Sequence, residues 1–140
     1  MRERHQYTAH GPVRVVLVVE DDPAVAELLA GAINDEPGYV AVRVGKGTDA
    51  LRALETVNAD LVLMDIGLPG LSGLEVLDRM REDERLRKVP VVFETAAVAA
   101  HAKDMRARGI AAYVKKPFDL NDIVAFVKKL APVPRAANYA

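Results

Sequence analysis

Two acidic segments of the chain carry side chains suited to metal and phosphate chemistry, and each follows a run of apolar residues. Glu20, Asp21 and Asp22 follow one such run, and Asp65 follows another and precedes a glycine-containing loop. Clustered carboxylates repel one another, so they persist mainly where a hard cation such as Mg²⁺ neutralises them. Taken alone, the first group is equally consistent with an acidic cap on the helix that follows.

Asp65 has the chemistry of a nucleophile if a cation and an ammonium group lie beside it. A carboxylate oxygen attacks phosphorus when positive charge screens both partners, and the product is an aspartyl phosphate. Lys116 is a candidate for the ammonium, and the hydroxyl of Thr95 is a candidate donor to a phosphoryl oxygen. Each residue alone is more simply explained as a turn-forming, solvent-exposed or strand-forming residue.

The elements that must position these residues alternate along the chain. Short β-branched runs predict strands at Val13–Val19, Tyr39–Val44, Asp60–Met64, Val89–Phe93 and Ile110–Val114. Amphipathic segments predict a helix that begins at Pro23 and helices over Thr48–Val57, Leu74–Glu84, Ala96–Arg108 and Asp119–Leu130, with Thr48 and Asp119 as N-caps. This alternation predicts an α/β fold with a doubly wound, five-stranded parallel sheet and five helices. Functional residues are expected beyond the carboxyl ends of the strands.

The residues that follow four of these strands fit together chemically as parts of one site. The simpler explanations, which treat each residue alone, do not predict this agreement. The segments VVEDDP (18–23), LMDIGLPG (63–70), FETA (93–96) and YVKKPF (113–118) resemble those of response regulator receiver domains. The resemblance extends from about Val13 to Leu130. It implies the flavodoxin-like (βα)₅ fold of those domains and their role in two-component signalling.

The resemblance also implies a magnesium site. Asp21 and Asp65 would bind Mg²⁺ directly, Glu20 would act mostly through water, and the backbone carbonyl of Gly67 would supply a further contact. Asp22 would be peripheral.

The same resemblance makes Asp65 the phospho-acceptor and Lys116 the lysine that stabilises charge on the phosphoryl group. Thr95 would be the switch hydroxyl and Tyr113 the aromatic switch residue. The bond between Lys116 and Pro117 is expected to be cis, because similar domains use that turn to direct the lysine and an X-Pro bond adopts cis at low cost.

The implied function is a phosphorelay step. Asp65 would accept a phosphoryl group from a sensor histidine kinase or a histidine phosphotransfer protein, and the signal would leave by contact with an unidentified downstream protein. Such a domain catalyses only its own phosphorylation and dephosphorylation. The alternative within the fold is a receiver-like interaction module that works without phosphorylation. A nucleotide-binding enzyme is disfavoured, because the first strand is followed by Glu20-Asp21-Asp22-Pro23 rather than by glycines.

The length of 140 residues agrees with a single domain. The formal net charge of −1 disfavours direct binding of nucleic acid. Cysteine is absent, and no apolar run is long enough to span a membrane, so we expect a cytoplasmic protein. We expect residues 1–12 and 131–140 to be tails and 13–130 to be the receiver domain, with no output domain after it.

One residue departs from the pattern of similar domains. Glu94, immediately before Thr95, stands where an apolar residue is usual. Because a buried charge requires a partner, we expect Glu94 at an exposed edge, with Lys115 as a possible neighbour. The small residues Gly67 and Ala97 offer no side chain to orient a hydrolytic water.

Overall fold

A β-sheet covered by helices on both faces forms the centre of the computed structural model, which describes residues 6–8 and 11–134. The strands in this part of the chain are β1 (Gln6–Thr8), β2 (Gly11–Val19), β3 (Tyr39–Val44), β4 (Leu61–Asp65), β5 (Val91–Thr95) and β6 (Tyr113–Lys115). The helices are α1 (Pro23–Asn34), α2 (Gly47–Leu54), α3 (Gly73–Arg81), α4 (Val98–Ala107) and α5 (Leu120–Leu130). Strands β3, β2, β4, β5 and β6 pair in parallel in that order, which confirms the predicted fold.

A further strand, β1, extends the sheet beyond the prediction. It pairs antiparallel with the start of β2, with Gln6 opposite Val13 and Thr8 opposite Gly11. Three residues without an alternating apolar pattern give little strand signal, which is why the sequence did not indicate it. Residues 1–5, 9–10 and 135–140 of the two predicted tails lie outside the described residues. The division of the chain into one domain and two tails stays a prediction.

The helices begin close to the predicted positions, with one exception among the caps. Asp119 caps α5 as predicted, its side chain accepting a hydrogen bond from the Asn121 N–H. The prediction of Thr48 as a cap was wrong, because α2 begins at Gly47 with Lys46 as its N-cap. A Cβ at Gly47 would overlap the Leu71 carbonyl oxygen, so close packing places glycine in the first turn. No helix in the described part of the chain is long and apolar enough to cross a membrane.

The sheet separates two apolar cores, because successive side chains of a strand point to opposite faces. On one face, residues such as Leu17, Val62 and Phe93 pack with helices α2, α3 and α4. On the other, residues such as Val18 and Leu63 pack with α1 and α5. Each fully buried Val, Leu or Phe contributes about 1.5 to 3 kcal/mol, so both faces of the sheet stabilise the fold. The same alternation decides which face each residue at the strand ends approaches.

Candidate functional site

Four ionisable side chains meet at the edge of the sheet where the parallel strands end. Each lies two positions beyond a residue of the core on the α1 and α5 face, so alternation directs all four to that face. The pairs are Val18 and Glu20 at β2, Leu63 and Asp65 at β4, Val92 and Glu94 at β5, and Val114 and Lys116 at β6. Strand pairing and alternation together therefore build the cluster.

Lys116 lies at the centre of this cluster. Its Nζ donates hydrogen bonds to Oδ2 of Asp65 at 3.0 Å and to Oε1 of Glu20 at 3.1 Å. It also lies 3.6 Å from Oε1 of Glu94. Burial alone would lower the pKa of Lys116, but the hydrogen bonds and charges of Asp65 and Glu20 outweigh it and raise the pKa above its ordinary value. The side chain is therefore an ammonium ion held by carboxyl groups.

Asp65 is buried and its carboxylate is fixed by two donors. Oδ1 accepts a hydrogen bond from the Gly67 N–H at 2.9 Å, and Oδ2 accepts the bond from Lys116. The Ile66 N–H donates to the Glu94 carbonyl at 3.1 Å, which ties the end of β4 to β5. Both oxygens of Asp65 consequently have a defined orientation at the mouth of the site.

Glu20, Asp21 and Asp65 form a group that fits a hard divalent cation. One carboxylate oxygen from each lies within 4.8 Å of the others, and Asp21 is exposed while the other two are buried. Slight burial and the negative charges of Glu20 and Asp65 raise the pKa of Asp21. Oxygen ligands that repel one another in this way are the donor set that Mg²⁺ and Ca²⁺ favour. The part predicted for the Gly67 carbonyl stays a prediction.

Asp22 has a different role from its two neighbours. Its side chain caps α1 by accepting hydrogen bonds from the N–H groups of Ala24 and Val25. The Asp22 N–H in turn donates to Oε2 of Glu20 at 3.1 Å. The helix-cap explanation of the acidic segment thus applies to Asp22, and Glu20 and Asp21 remain for the cluster.

Glu94 also belongs to the site, although its position there was not expected from the sequence. The expectation of an exposed edge near Lys115 was wrong: Glu94 is 0% exposed and faces Lys116. Glu94 is the strand partner of Asp65, so the two side chains share a face. Alternation from the apolar Val92 was the signal that could have placed it.

The pKa values of the two buried glutamates Glu94 and Glu20 shift in opposite directions. Burial, the interaction with Glu20 and the negative charge of Glu20 raise the pKa of Glu94 to about 9. Burial would raise the pKa of Glu20 as well, but Glu94, the Asp22 N–H and Lys116 outweigh it and lower that pKa. The cluster therefore holds one neutral carboxyl group beneath its carboxylates.

Thr95 is the last residue of β5, and Tyr113 is the first residue of β6. Thr95 is buried, and its Oγ1 accepts a hydrogen bond from the Ala97 N–H at 3.0 Å. The Lys116 N–H donates to the Thr95 carbonyl at 2.8 Å, and the Lys116-Pro117 bond is cis, as predicted. Tyr113 is 38% exposed and lines an open depression of about 700 Å³ with residues 96–100. The structure thus gathers Glu20, Asp21, Asp65 and Lys116, and leaves the Tyr113 ring at the surface.

The chain is similar in sequence to proteins named as response regulators. Residues 16–128 match the family described as the response regulator receiver domain. The polar-differentiation response regulator DivK of Brucella ovis is 36% identical over 114 residues, which cover 81% of this chain and 92% of DivK.

Solved structures with the same fold include two that contain magnesium. The response regulator TrrA of Thermotoga maritima, in complex with Mg²⁺ and BeF, is 33% identical with a TM-score of 0.74, over 84% of this chain and 99% of that one. The receiver domain of the sensor histidine kinase PA1611 of Pseudomonas aeruginosa, with a magnesium ion in its active-site cleft, is 28% identical with a TM-score of 0.77. That match covers 85% of this chain and 98% of the other.

Proposed function

Because the chain belongs to the response regulator receiver domain family, we propose that it accepts a phosphoryl group on Asp65 from a phosphohistidine of a partner protein. The observation that supports this site is the position of Lys116, whose Nζ lies 3.0 Å from Oδ2 of Asp65 and 3.1 Å from Oε1 of Glu20. An ammonium held beside a buried carboxylate, with two more carboxylates nearby, is an arrangement that can stabilise phosphoryl transfer to Asp.

In the transfer step, one Asp65 oxygen attacks phosphorus as the bond between phosphorus and the partner's histidine nitrogen breaks. The nitrogen leaves with the bonding electron pair, and an acyl phosphate forms on Asp65. The Lys116 ammonium stabilises negative charge on the transferring oxygens. Glu20, Asp21 and Asp65, with the Gly67 carbonyl, would hold Mg²⁺. When bound, Mg²⁺ neutralises charge on the acceptor and on the phosphoryl group.

Phosphorylation would change the protein surface through movements of Thr95 and Tyr113. The Thr95 hydroxyl, which now accepts a bond from the Ala97 N–H, would turn its own proton toward a phosphoryl oxygen. The depression beside Tyr113 would then receive the aromatic ring, which changes the surface formed by α4, β6 and α5. A downstream protein in the cytoplasm would read that surface by direct contact, without nucleic acid or membrane.

A direct test is intact-mass spectrometry after incubation with acetyl phosphate and Mg²⁺. One added phosphoryl group of about 80 Da is expected on the wild type and none on Asp65→Asn. Asp22→Asn is the matched control, because Asp22 caps α1 outside the cluster, and it should be modified like the wild type. A wild type that stays unmodified would favour the interaction module that works without phosphorylation.

A further inference from the structure

Glu94 is a buried polar residue for which the phosphoryl-transfer chemistry described above has no use. Both of its carboxyl oxygens are inaccessible to solvent, and neither has a hydrogen-bond partner among the described residues. The side chain extends from β5 toward Lys116, whose Nζ is 3.6 Å from Oε1. Burying such a group without a partner is unfavourable, so its contact with the Lys116 ammonium is favourable.

Lys116 therefore has three carboxyl neighbours that act on one ammonium group. Glu20 and Glu94 are buried groups, 3% and 0% exposed, with oxygens 3.1 and 3.6 Å from Nζ. Asp65 is the third neighbour and the one to which a phosphoryl group would be added. The new oxygens would lie beyond Oδ of Asp65, so an ammonium that follows them moves away from the other two carboxyl groups.

We infer that Glu94 is a positioning residue that tethers the Lys116 ammonium in the resting site and competes with a phosphoryl group on Asp65 for it. This inference rests on the proposed function and deepens it. Movement of Lys116 toward the phosphoryl group leaves the Glu94 carboxyl without its cation in the protein interior. Glu94 therefore favours the unphosphorylated arrangement of the site. An apolar residue at position 94 imposes no such competition.

The test uses beryllofluoride, a tetrahedral analogue of a phosphoryl group, as the probe. Its affinity in Mg²⁺ buffer is measured by titration calorimetry for the wild type, Glu94→Val and Glu94→Gln. Glu94→Val should bind it at least threefold more tightly, because valine offers Lys116 no acceptor. Glu94→Gln keeps an oxygen near Nζ and should stay within twofold of the wild type. Equal affinity of Glu94→Val and the wild type, or equal tightening by both substitutions, would overturn the inference.

A double-mutant cycle tests whether Glu94 acts through Lys116. In a Lys116→Met background, the substitution Glu94→Val should leave the beryllofluoride affinity unchanged, and the same tightening there would overturn the inference. A second readout needs no Lys116 variant. NMR measures the exchange of the Lys116 ammonium protons with water in metal-free protein. This exchange should be faster in Glu94→Val than in the wild type and Glu94→Gln, and an unchanged rate would contradict the tether.

A wild type that binds no beryllofluoride would overturn both this inference and the proposed function. Binding by the wild type with the same affinity in Glu94→Val would overturn this inference alone.

Discussion

Gly73, the first residue of α3, lies directly against the main chain of Asp65. A Cβ at position 73 would overlap the carbonyl oxygen of Asp65 and would lie 3.1 Å from the Cα of Ile66. The Gly73 N–H donates a hydrogen bond to the Ile66 carbonyl at 3.1 Å. The first turn of α3 therefore supports the backbone that carries the Asp65 carboxylate, and only glycine fits this contact without displacing that backbone.

Gly73→Ala should destabilise the protein and disturb the acceptor. An added methyl group against fixed backbone costs about 1 to 3 kcal/mol, and it would shift Asp65 relative to Lys116. Urea denaturation measures the first effect and the rate of modification by acetyl phosphate the second. Gly31→Ala is the matched control, because a Cβ at Gly31 meets no atom within 4 Å and the residue lies inside α1. That substitution should stabilise by about 0.5 to 1 kcal/mol. The same loss from both substitutions would exclude a specific role for the Gly73 contact.

The predictable part of this molecule is the part that short-range patterns determine. Asp65 and Lys116 could be placed together because parallel strands end at one edge of the sheet, and the apolar runs showed where those strands end. The face of the sheet that Glu94 approaches could have been read from its alternation with Val92, but its position opposite Asp65 depends on strand register. The contact of Gly73 could not be predicted, since it depends on how α3 packs on β4. Strand β1 was missed because three residues carry little local signal.

Asp21→Ala should remove most of the stabilisation by Mg²⁺. Ligand binding to the folded state raises the melting temperature, and Asp21 supplies one of the three oxygens of the candidate site. The metal-free variant should melt no lower than the metal-free wild type, because Asp21 is repelled by Glu20 and Asp65. Asp22→Ala is expected to show the reverse pattern, with about 1 kcal/mol lost through the helix cap and the response to Mg²⁺ retained. Thermal melts with and without Mg²⁺ separate the two, and equal Mg²⁺ responses in the wild type and Asp21→Ala would contradict the site.

Glu94 should make the stability of the metal-free protein fall as pH rises. The pKa of its carboxyl is raised from 4.5 to about 9 in the folded state by burial and by Glu20. Between these values the unfolded chain has released a proton that the folded protein retains, so the free energy of unfolding decreases with pH. Asp65 and Lys116 also face Glu94, but both are present in the wild type and in Glu94→Gln, so a comparison of these two proteins tests the Glu94 carboxyl.

Glu94→Gln removes this titration, so its stability advantage over the wild type should grow from pH 5 to pH 9. Urea denaturation in buffer with a chelator at pH 5, 7 and 9 measures the difference. A difference that stays constant over this range would show that Glu94 does not carry the proton.

Thr95→Ala should separate phosphorylation from the response of Tyr113. The hydroxyl of Thr95 takes no part in bond formation at Asp65, so modification by acetyl phosphate should fall no more than a few-fold. The fluorotyrosine NMR signal of Tyr113, assigned with Tyr113→Phe, should shift in the wild type on addition of beryllofluoride and Mg²⁺ but stay unchanged in Thr95→Ala. Thr95→Ser keeps the hydroxyl and should keep the shift. A full shift in Thr95→Ala would show that Tyr113 moves without the hydroxyl.

The phosphorylated form should be long-lived, because Gly67 and Ala97 offer no side-chain donor or acceptor that aligns a hydrolytic water. Orientation of the attacking group is a large part of such a barrier. Gly67 has no side chain, and Ala97 presents a methyl group while its N–H donates to Thr95. A Cβ at Gly67 would lie 3.6 Å from Oδ1 of Asp65, an ordinary contact, so a polar side chain can be added there without displacing the acceptor.

The double variant Gly67→Asn, Ala97→Glu should therefore lose its phosphoryl group faster, by about tenfold, or about 1.4 kcal/mol of barrier. The small residues of the wild type also leave the phosphoryl group open to solvent, which acts in the opposite direction. Orientation should prevail, because access to water does not limit the hydrolysis of small acyl phosphates, whereas alignment of the water does reduce the barrier. Decay of the phosphorylated protein in Mg²⁺ buffer, followed by intact mass, measures the balance. Slower decay in the double variant would show that shielding controls the lifetime.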